Sequence, residues 1–341
     1  MEKVSKRTVK KKILIIQLRR VGDVIFTLPV IGALRRHFPD AQIDFLVEKP
    51  ADQAVRLHPD LNETLIYEAA RPWAWLRTIR ARQYDWVLDF HANGRTLLLS
   101  LASGAPLRAA FAGPLTRRLA YTHRVISSNS KYLPEQKLDI LRALGVPCDN
   151  WTWGLKIPAN ERTWAENFLS DSGLKSGEAL VGLAPATRRP IRAWKEERFA
   201  QVAERLIAES KKILFLWGPG EESLVERIRS MIKTRTPGKI IVPPAVPLLQ
   251  LAALIERCEV VLAVDNGPKN MAVALNVPTV TLSGPTNPLS FDPHNHPRHA
   301  VIREDALACI SCGLNRCPYG HECMEHITAD RAFQGLKAVL V

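Results

Sequence analysis

The chain has 341 residues, 46% apolar and 24% charged, a balance that argues against disorder in the body of the chain, and its length is too great for one comfortable core and suggests two domains. Lys plus Arg exceed Asp plus Glu by 47 − 34 = 13, so an anionic partner is expected; nucleic acid, anionic lipid and phosphorylated small molecules all qualify. No run reaches the roughly 20 apolar residues of a spanning helix, and the basic segment 1–12 leads into a short strand rather than the long apolar core of an export signal. A cytoplasmic protein is expected, with 1–12 a disordered basic tail that can touch an anionic membrane surface.

Strand-like and helix-like segments alternate from residue 13 onward. Buried strands are predicted over 13–18, 42–47, 85–90 and 107–112, and helices over 24–38, 73–82 and 135–144. Residues 145–158, with Gly145, Pro147, Asn150 and Pro158, break the pattern as a linker. The alternation restarts with strands over 179–184, 212–217, 239–242, 259–264 and 278–283. Helices over 196–209, 221–233, 248–257 and 268–275 lie between them. The expected architecture is α/β, with an N-terminal domain over 13–150 and a C-terminal domain over 151–325. Residues 326–341 form a last helix, expected to pack back on the N-terminal domain. Two doubly wound units place the ligand cleft between them, at the carboxyl ends of strands.

Two strand-to-helix turns carry chemistry. In the first, Arg19-Arg20-Val21-Gly22-Asp23, Gly22 permits a tight turn, and Asp23 suits either a helix cap or a general base taking a proton from an acceptor hydroxyl. Arg19 and Arg20 suit acidic groups on that acceptor. A dinucleotide fingerprint would need three glycines where one stands, which argues against a dehydrogenase. In the second turn, Asp265-Asn266-Gly267-Pro268-Lys269-Asn270, Asp265 or Asn266 is a natural N-cap and Pro268 suits the first helical turn. The exposed N–H groups make an anion site, Gly267 lets a phosphate approach, and Lys269 adds charge. The loop after 179–184 holds Thr187 and Arg192, a hydroxyl donor and a planar fork for phosphate, and 282–287 is a third loop at a strand end.

At these residues the chain resembles glycosyltransferase family nine, the heptosyltransferases of lipopolysaccharide inner-core assembly. The resemblance is carried by ILIIQLRRVGDVIFTLPVIGALRRHFPDAQIDFLVE (13–48), RAWKEERFAQVAERL (192–206), VDNGPKNMAVALNVPTVTLSGPTNP (264–288) and CISCGLNRCPYGHECM (309–324). It implies a GT-B fold, two Rossmann-like domains facing across a cleft. It also implies inverting transfer of heptose from ADP-heptose, without a divalent metal or other required cofactor. Asp23 is then the catalytic base, and Thr187 and Asp265-Asn266-Gly267 contact the donor phosphates. Arg192 stands where the family commonly has Lys, Asn270 where it usually has His, and Gln17 where it often has a basic residue. Arg19, Arg20 and Lys269 are expected to compensate electrostatically for the last two changes.

Cys309-x2-Cys312-x4-Cys317-x5-Cys323, with His321 nearby, contains one CxxC; reduced structural cysteines are favoured over a structural zinc or a local disulfide. Cys148 and Cys258 read as isolated core residues. The expected partners are ADP-heptose and a lipopolysaccharide core acceptor at the cytoplasmic membrane face, for an inner-membrane-peripheral monomer. Arg95, Arg117 and Arg118 suit an anionic acceptor, and no aromatic-interleaved basic motif supports nucleic acid. The rival readings are a transferase of another nucleotide sugar and a non-catalytic member that only binds nucleotide.

Overall fold

The structure, a computed structural model, describes residues 10–115, 117–128, 131–234, 236–293 and 296–340. The basic tail therefore lies outside the described residues except for its last three positions. The chain divides into two compact units, Met1–Lys156 and Ile157–Val341, with the division at the end of the expected linker.

The first unit runs β1 (Lys12–Ile16), α1 (Val21–His37), β2 (Gln42–Val47), β3 (Glu63–Ile66), α2 (Pro72–Arg82), β4 (Trp86–Asp89), α3 (Gly94–Ser103), β5 (Leu107–Phe111), α4 (Arg117–Ala120), β6 (His123–Val125) and α5 (Leu133–Ala143). Its six strands are parallel in the order β3-β2-β1-β4-β5-β6. Ile13, Leu14, Ile15 and Ile16 are wholly buried, as a strand covered by helices on both faces requires. Helix α1 lies buried along Val24–Leu34. Helix α3, which the apolar spacing did not announce, starts from Asn93: its side chain accepts from Thr96 N–H while the Thr96 hydroxyl accepts from Asn93 N–H. It stops at Gly104, which takes the left-handed conformation with φ 64°.

The second unit runs α6 (Ala159–Asp171), β7 (Leu180–Ala184), α7 (Glu196–Ala208), β8 (Lys212–Phe215), α8 (Glu222–Met231), β9 (Ile240–Ile241), α9 (Leu248–Glu256), β10 (Val260–Val264), α10 (Gly267–Ala274), β11 (Thr279–Leu282), α11 (Pro288–Phe291), β12 (His299–Ile302), α12 (Glu322–Glu325) and α13 (Ala329–Val339). The sheet is again six-stranded and parallel, in the order β12-β11-β10-β7-β8-β9. Helix α6 escapes a periodicity reading because only Ala165 and Leu169 of its residues are buried. The C-terminal helix was expected on the N-terminal domain. Instead Ala332, Phe333 and Leu336 of α13 sit in the core of the second unit with Val280 and Leu282 of β11, so its apolar face is taken up by its own sheet.

In each sheet the strand order reverses once, between β1 and β4 in the first and between β7 and β10 in the second. Loops leaving the carboxyl ends of strands at such a switch point diverge and leave room for a ligand. These four loops and the starts of the helices that follow β1 and β10 carry the site residues expected from the sequence.

Candidate active site

In the first unit, Gln17, Arg19 and Arg20 leave β1, Phe90 and His91 leave β4, and Asp23 and Lys137 come from α1 and α5. Together these side chains line a cavity of about 400 Å³. Helix α1 begins at Val21, three residues earlier than the spacing predicts, so Gly22 lies within its first helical turn and the tight turn is made by residues 17–20. Asp23 is therefore the third residue of the helix, and its Oδ2 accepts the Arg20 backbone N–H at 3.2 Å. The two readings of Asp23 are compatible: one oxygen caps the helix while the carboxylate forms part of the cavity wall.

Arg19 and Arg20 are exposed at the cavity mouth, with Arg19 Nε 4.0 Å from Glu48. Arg95 also pairs with Glu48, at 3.0 Å. Arg117 is spent on the carbonyls of Ala92, Phe111 and Ala112, which removes it from the anion-binding role expected of it, and Arg118 is exposed.

Lys137 is the residue that motif reading missed. Its Nζ donates to the buried Gln17 Oε1 at 2.8 Å and lies 5.5 Å from the Phe90 ring centroid. Gln17 in turn donates to Arg19 O at 2.7 Å and lies 3.2 Å from His91 Nδ1. The position vacated by a first-strand cation is thus faced by an ammonium arriving from α5. Burial pulls the Lys137 pKa down to about 8, against the opposing pull of Asp23 and Asp89. Burial also holds His91 below the usual imidazole range. A sequence signal existed, because Lys137 is four residues before Leu141 on the buried stripe of α5, where a lysine has no packing reason to be.

In the second unit the turn after β10 resolves the capping question. Asn266 is the N-cap: its Oδ1 accepts Lys269 N–H at 3.0 Å, and its Nδ2 ties the turn to the Ala184 and Ala186 carbonyls after β7, both at 2.9 Å. Asp265 is instead a buried hub, 2.6 Å from Arg192 Nη1 and accepting the Thr286 hydroxyl at 3.2 Å, which joins all three expected loops. Arg192 also lies over the Phe291 ring, its Cζ 5.6 Å from the centroid. Thr187 is half-buried on the β7 loop and accepts Arg189 N–H. Pro268 occupies the first helical turn of α10, and nothing stands within 4 Å of where a Cβ on Gly267 would be, so the backbone there is open to close approach. Asn270 is buried, and its Oδ1 has no hydrogen-bond partner among the described residues.

Lys269 does not add charge to this surface. It is wholly buried, with Nζ donating to Phe291 O at 2.6 Å and lying 3.2 Å from Asp292 and 3.6 Å from Asp265. The expected compensation by Lys269 for Asn270 is therefore overturned. A neutralised lysine inside the fold projects little field to a phosphate.

The cysteine segment holds no group of three or more Cys, His, Asp or Glu arranged for a metal among the described residues. Cys323 packs in the core beside Gly284, and burial, followed by the neighbouring cysteines, pushes its thiol up to about 11. Cys309 and Cys317 are half-buried, Cys312 is exposed, and His321 is bonded to Ile191 O. Cys148 and Cys258 are buried, and burial raises both thiols.

Residues 73–321 match the family model for glycosyltransferase family 9 (heptosyltransferase). Lipopolysaccharide core heptosyltransferase OpsX of Haemophilus influenzae is 25% identical over 299 residues, covering 84% of this chain and 82% of its own. The glycosyl transferase family 9 structure from Veillonella parvula superposes with TM-score 0.83 at 23% identity over 97% of both chains. The structure of E. coli heptosyltransferase WaaC with ADP gives TM-score 0.71 at 21% identity over 97% of this chain and 100% of that one. The expected α/β GT-B fold is borne out. With nearly three-quarters of its length inside the family model, the chain belongs to glycosyltransferase family 9, the heptosyltransferases, and is a transferase enzyme.

Proposed function

We propose that this enzyme moves a heptose from ADP-heptose to an acceptor of the lipopolysaccharide inner core, with inversion at the anomeric carbon. The single observation that carries this reading is the Asp23 carboxylate in the wall of a cavity otherwise lined by Arg19, Arg20, Lys137, His91, Gln17 and Phe90. One acid among three cations suits a base that works on the hydroxyl of an acidic sugar. The relatives named for lipopolysaccharide core transfer and the neighbour bound to ADP point to the same substrates.

The reaction is a single displacement. The acceptor oxygen forms the new bond to the anomeric carbon as the bond to the ADP oxygen breaks on the opposite face. Asp23 takes the hydroxyl proton, and the bonding pair leaves with ADP. The N-terminus of α10 at Gly267, with Thr187 and the free part of Arg192, stabilises charge growing on the diphosphate. The buried Oδ1 of Asn270 supplies an acceptor for a donor hydroxyl in the same loop.

General-base catalysis is worth about 10²–10⁴-fold, so Asp23→Asn is expected to lose that much turnover while binding ADP-heptose, by calorimetry, as the wild type does. Turnover near the wild-type rate would remove Asp23 from the role.

A further inference from the structure

From residue 90 to residue 134 the chain has no Asp or Glu, yet it carries Arg95, Arg108, Arg117, Arg118, Arg124 and Lys131. The same span holds an unusual set of exposed aliphatic side chains: Leu98 at 56%, Leu101 at 40%, Leu115 at 72%, Leu119 at 81% and Ile126 at 88% exposure.

Local structure explains why they face outward together. The turn leading into α4 is wound by Arg117 N–H on Pro114 O, Arg118 N–H on Leu115 O and Tyr121 N–H on Arg117 O. Its inner side, Ala120 and Tyr121, packs with Ala92 and Ala110, which leaves Leu115 and Leu119, four residues apart, on the outer side. Helix α3 packs against α4 and contributes Leu98 and Leu101. Ile126 is the first residue past β6, where Val125 O accepts Ala112 N–H at 2.8 Å, so it stands beside the chain that leads to Leu115. Arg118 and Arg124 are exposed on the same segments. These loops leave the carboxyl ends of β5 and β6, the end of the first sheet that also carries the Asp23 cavity.

We propose that this surface is a membrane-docking face: the aliphatic side chains enter the interface of a bilayer and the exposed Arg118 and Arg124 rest on anionic lipid headgroups. Scattered exposed leucines need no explanation, but exposed aliphatic side chains flanked by Arg118 and Arg124, on a stretch whose own 45 residues, 90–134, include no carboxylate, complement an anionic lipid surface. Among the described residues no helix is long and apolar enough to cross a membrane. The position suits an acceptor delivered on a lipid, and to that extent only the inference rests on the function proposed above.

The experiment is co-sedimentation of the full chain with phosphatidylcholine vesicles, with and without phosphatidylglycerol. No transfer is measured, so its failure is distinct from failure of the enzymatic reading. The wild type is expected to sediment with the phosphatidylglycerol vesicles and to be released by salt. Leu115→Ser/Leu119→Ser/Ile126→Ser is expected to lose at least about tenfold in partitioning, and Arg118→Glu/Arg124→Glu a comparable amount, each with the circular dichroism and melting of the wild type. Neutralising Lys3, Lys6 and Arg7 in the tail is expected to leave most binding in place. Binding that survives both patch variants, or that vanishes only with the tail charges, overturns the proposal. So does concentration-dependent self-association through Leu115 and Leu119 without vesicle binding, which assigns the face to a second copy of the chain.

Discussion

Two lysines are buried beside the two switch points, and they do opposite things. Lys269, in the turn at the start of α10, is locked by a carbonyl and two carboxylates and holds the loop around Phe291 and Asp292 to α10. Lys137, more than a hundred residues from the Gly22–Asp23 turn, donates to Gln17, and its head lines the cavity. Proximity in sequence to a motif thus does not say which cation faces a cavity. What separates a structural from a functional buried charge is whether the protein has already neutralised it.

The comparison breaks most visibly at Lys269. Lys269→Met leaves the buried Asp265 and Asp292 without that cation, and burial already pushes the Asp292 carboxyl up. The expected cost is about 3–5 kcal/mol, read as earlier unfolding of the second unit in urea. A melt unchanged from the wild type would mean that Lys269 is not the structural member of the pair.

Lys137→Met, which removes a buried charge, is expected to leave the fold at least as stable at neutral pH and to lower acceptor-side kcat/KM at least about tenfold, with donor affinity unchanged. The pH dependence sharpens this. The folded pKa of about 8 lies below the ordinary lysine value of 10.5, so between those values the unfolded chain binds more protons. Stability from this group therefore rises with pH across that window, while kcat/KM falls above about pH 8 as the ammonium loses its charge. Both trends are expected to vanish in Lys137→Met. If both persist, another group titrates.

A smaller effect is expected at Asn270. Removing a buried oxygen that has no partner costs the fold little, so Asn270→Ala should change stability by less than about 1 kcal/mol yet weaken ADP-heptose binding several-fold by calorimetry. The least effect is expected from the thiols. An alkylating reagent should modify exposed Cys312 first and leave Cys258 and Cys323, whose burial disfavours the thiolate, unmodified in the folded chain. Rapid loss of Cys323 would show that the C-terminal segment opens.

Much of the fold was legible because it is local. Runs such as Val260–Val264 are buried strands in any doubly wound sheet, and the turns after them end in residues with capping chemistry. Helix α6 was not legible because little of it is buried, and α3 because its start is set by the Asn93–Thr96 cap rather than by an apolar stripe. At the site, Asp23, Thr187, Arg192 and Asn266 could be located from their turns. Lys137 could not, because only the packing of α5 against α1 brings it to Gln17, and Lys269 was misjudged because the direction of its side chain is set by Asp292 from a different loop.

The most direct test of heptosyl transfer is to incubate the enzyme with ADP-heptose and a panel of truncated lipopolysaccharide cores and read the acceptors by mass. One core is expected to gain the mass of a single heptose with wild-type enzyme, and none to gain it with Asp23→Asn in the same time. No gain on any core with enzyme that binds ADP-heptose, or an equal gain with Asp23→Asn, would contradict the assignment.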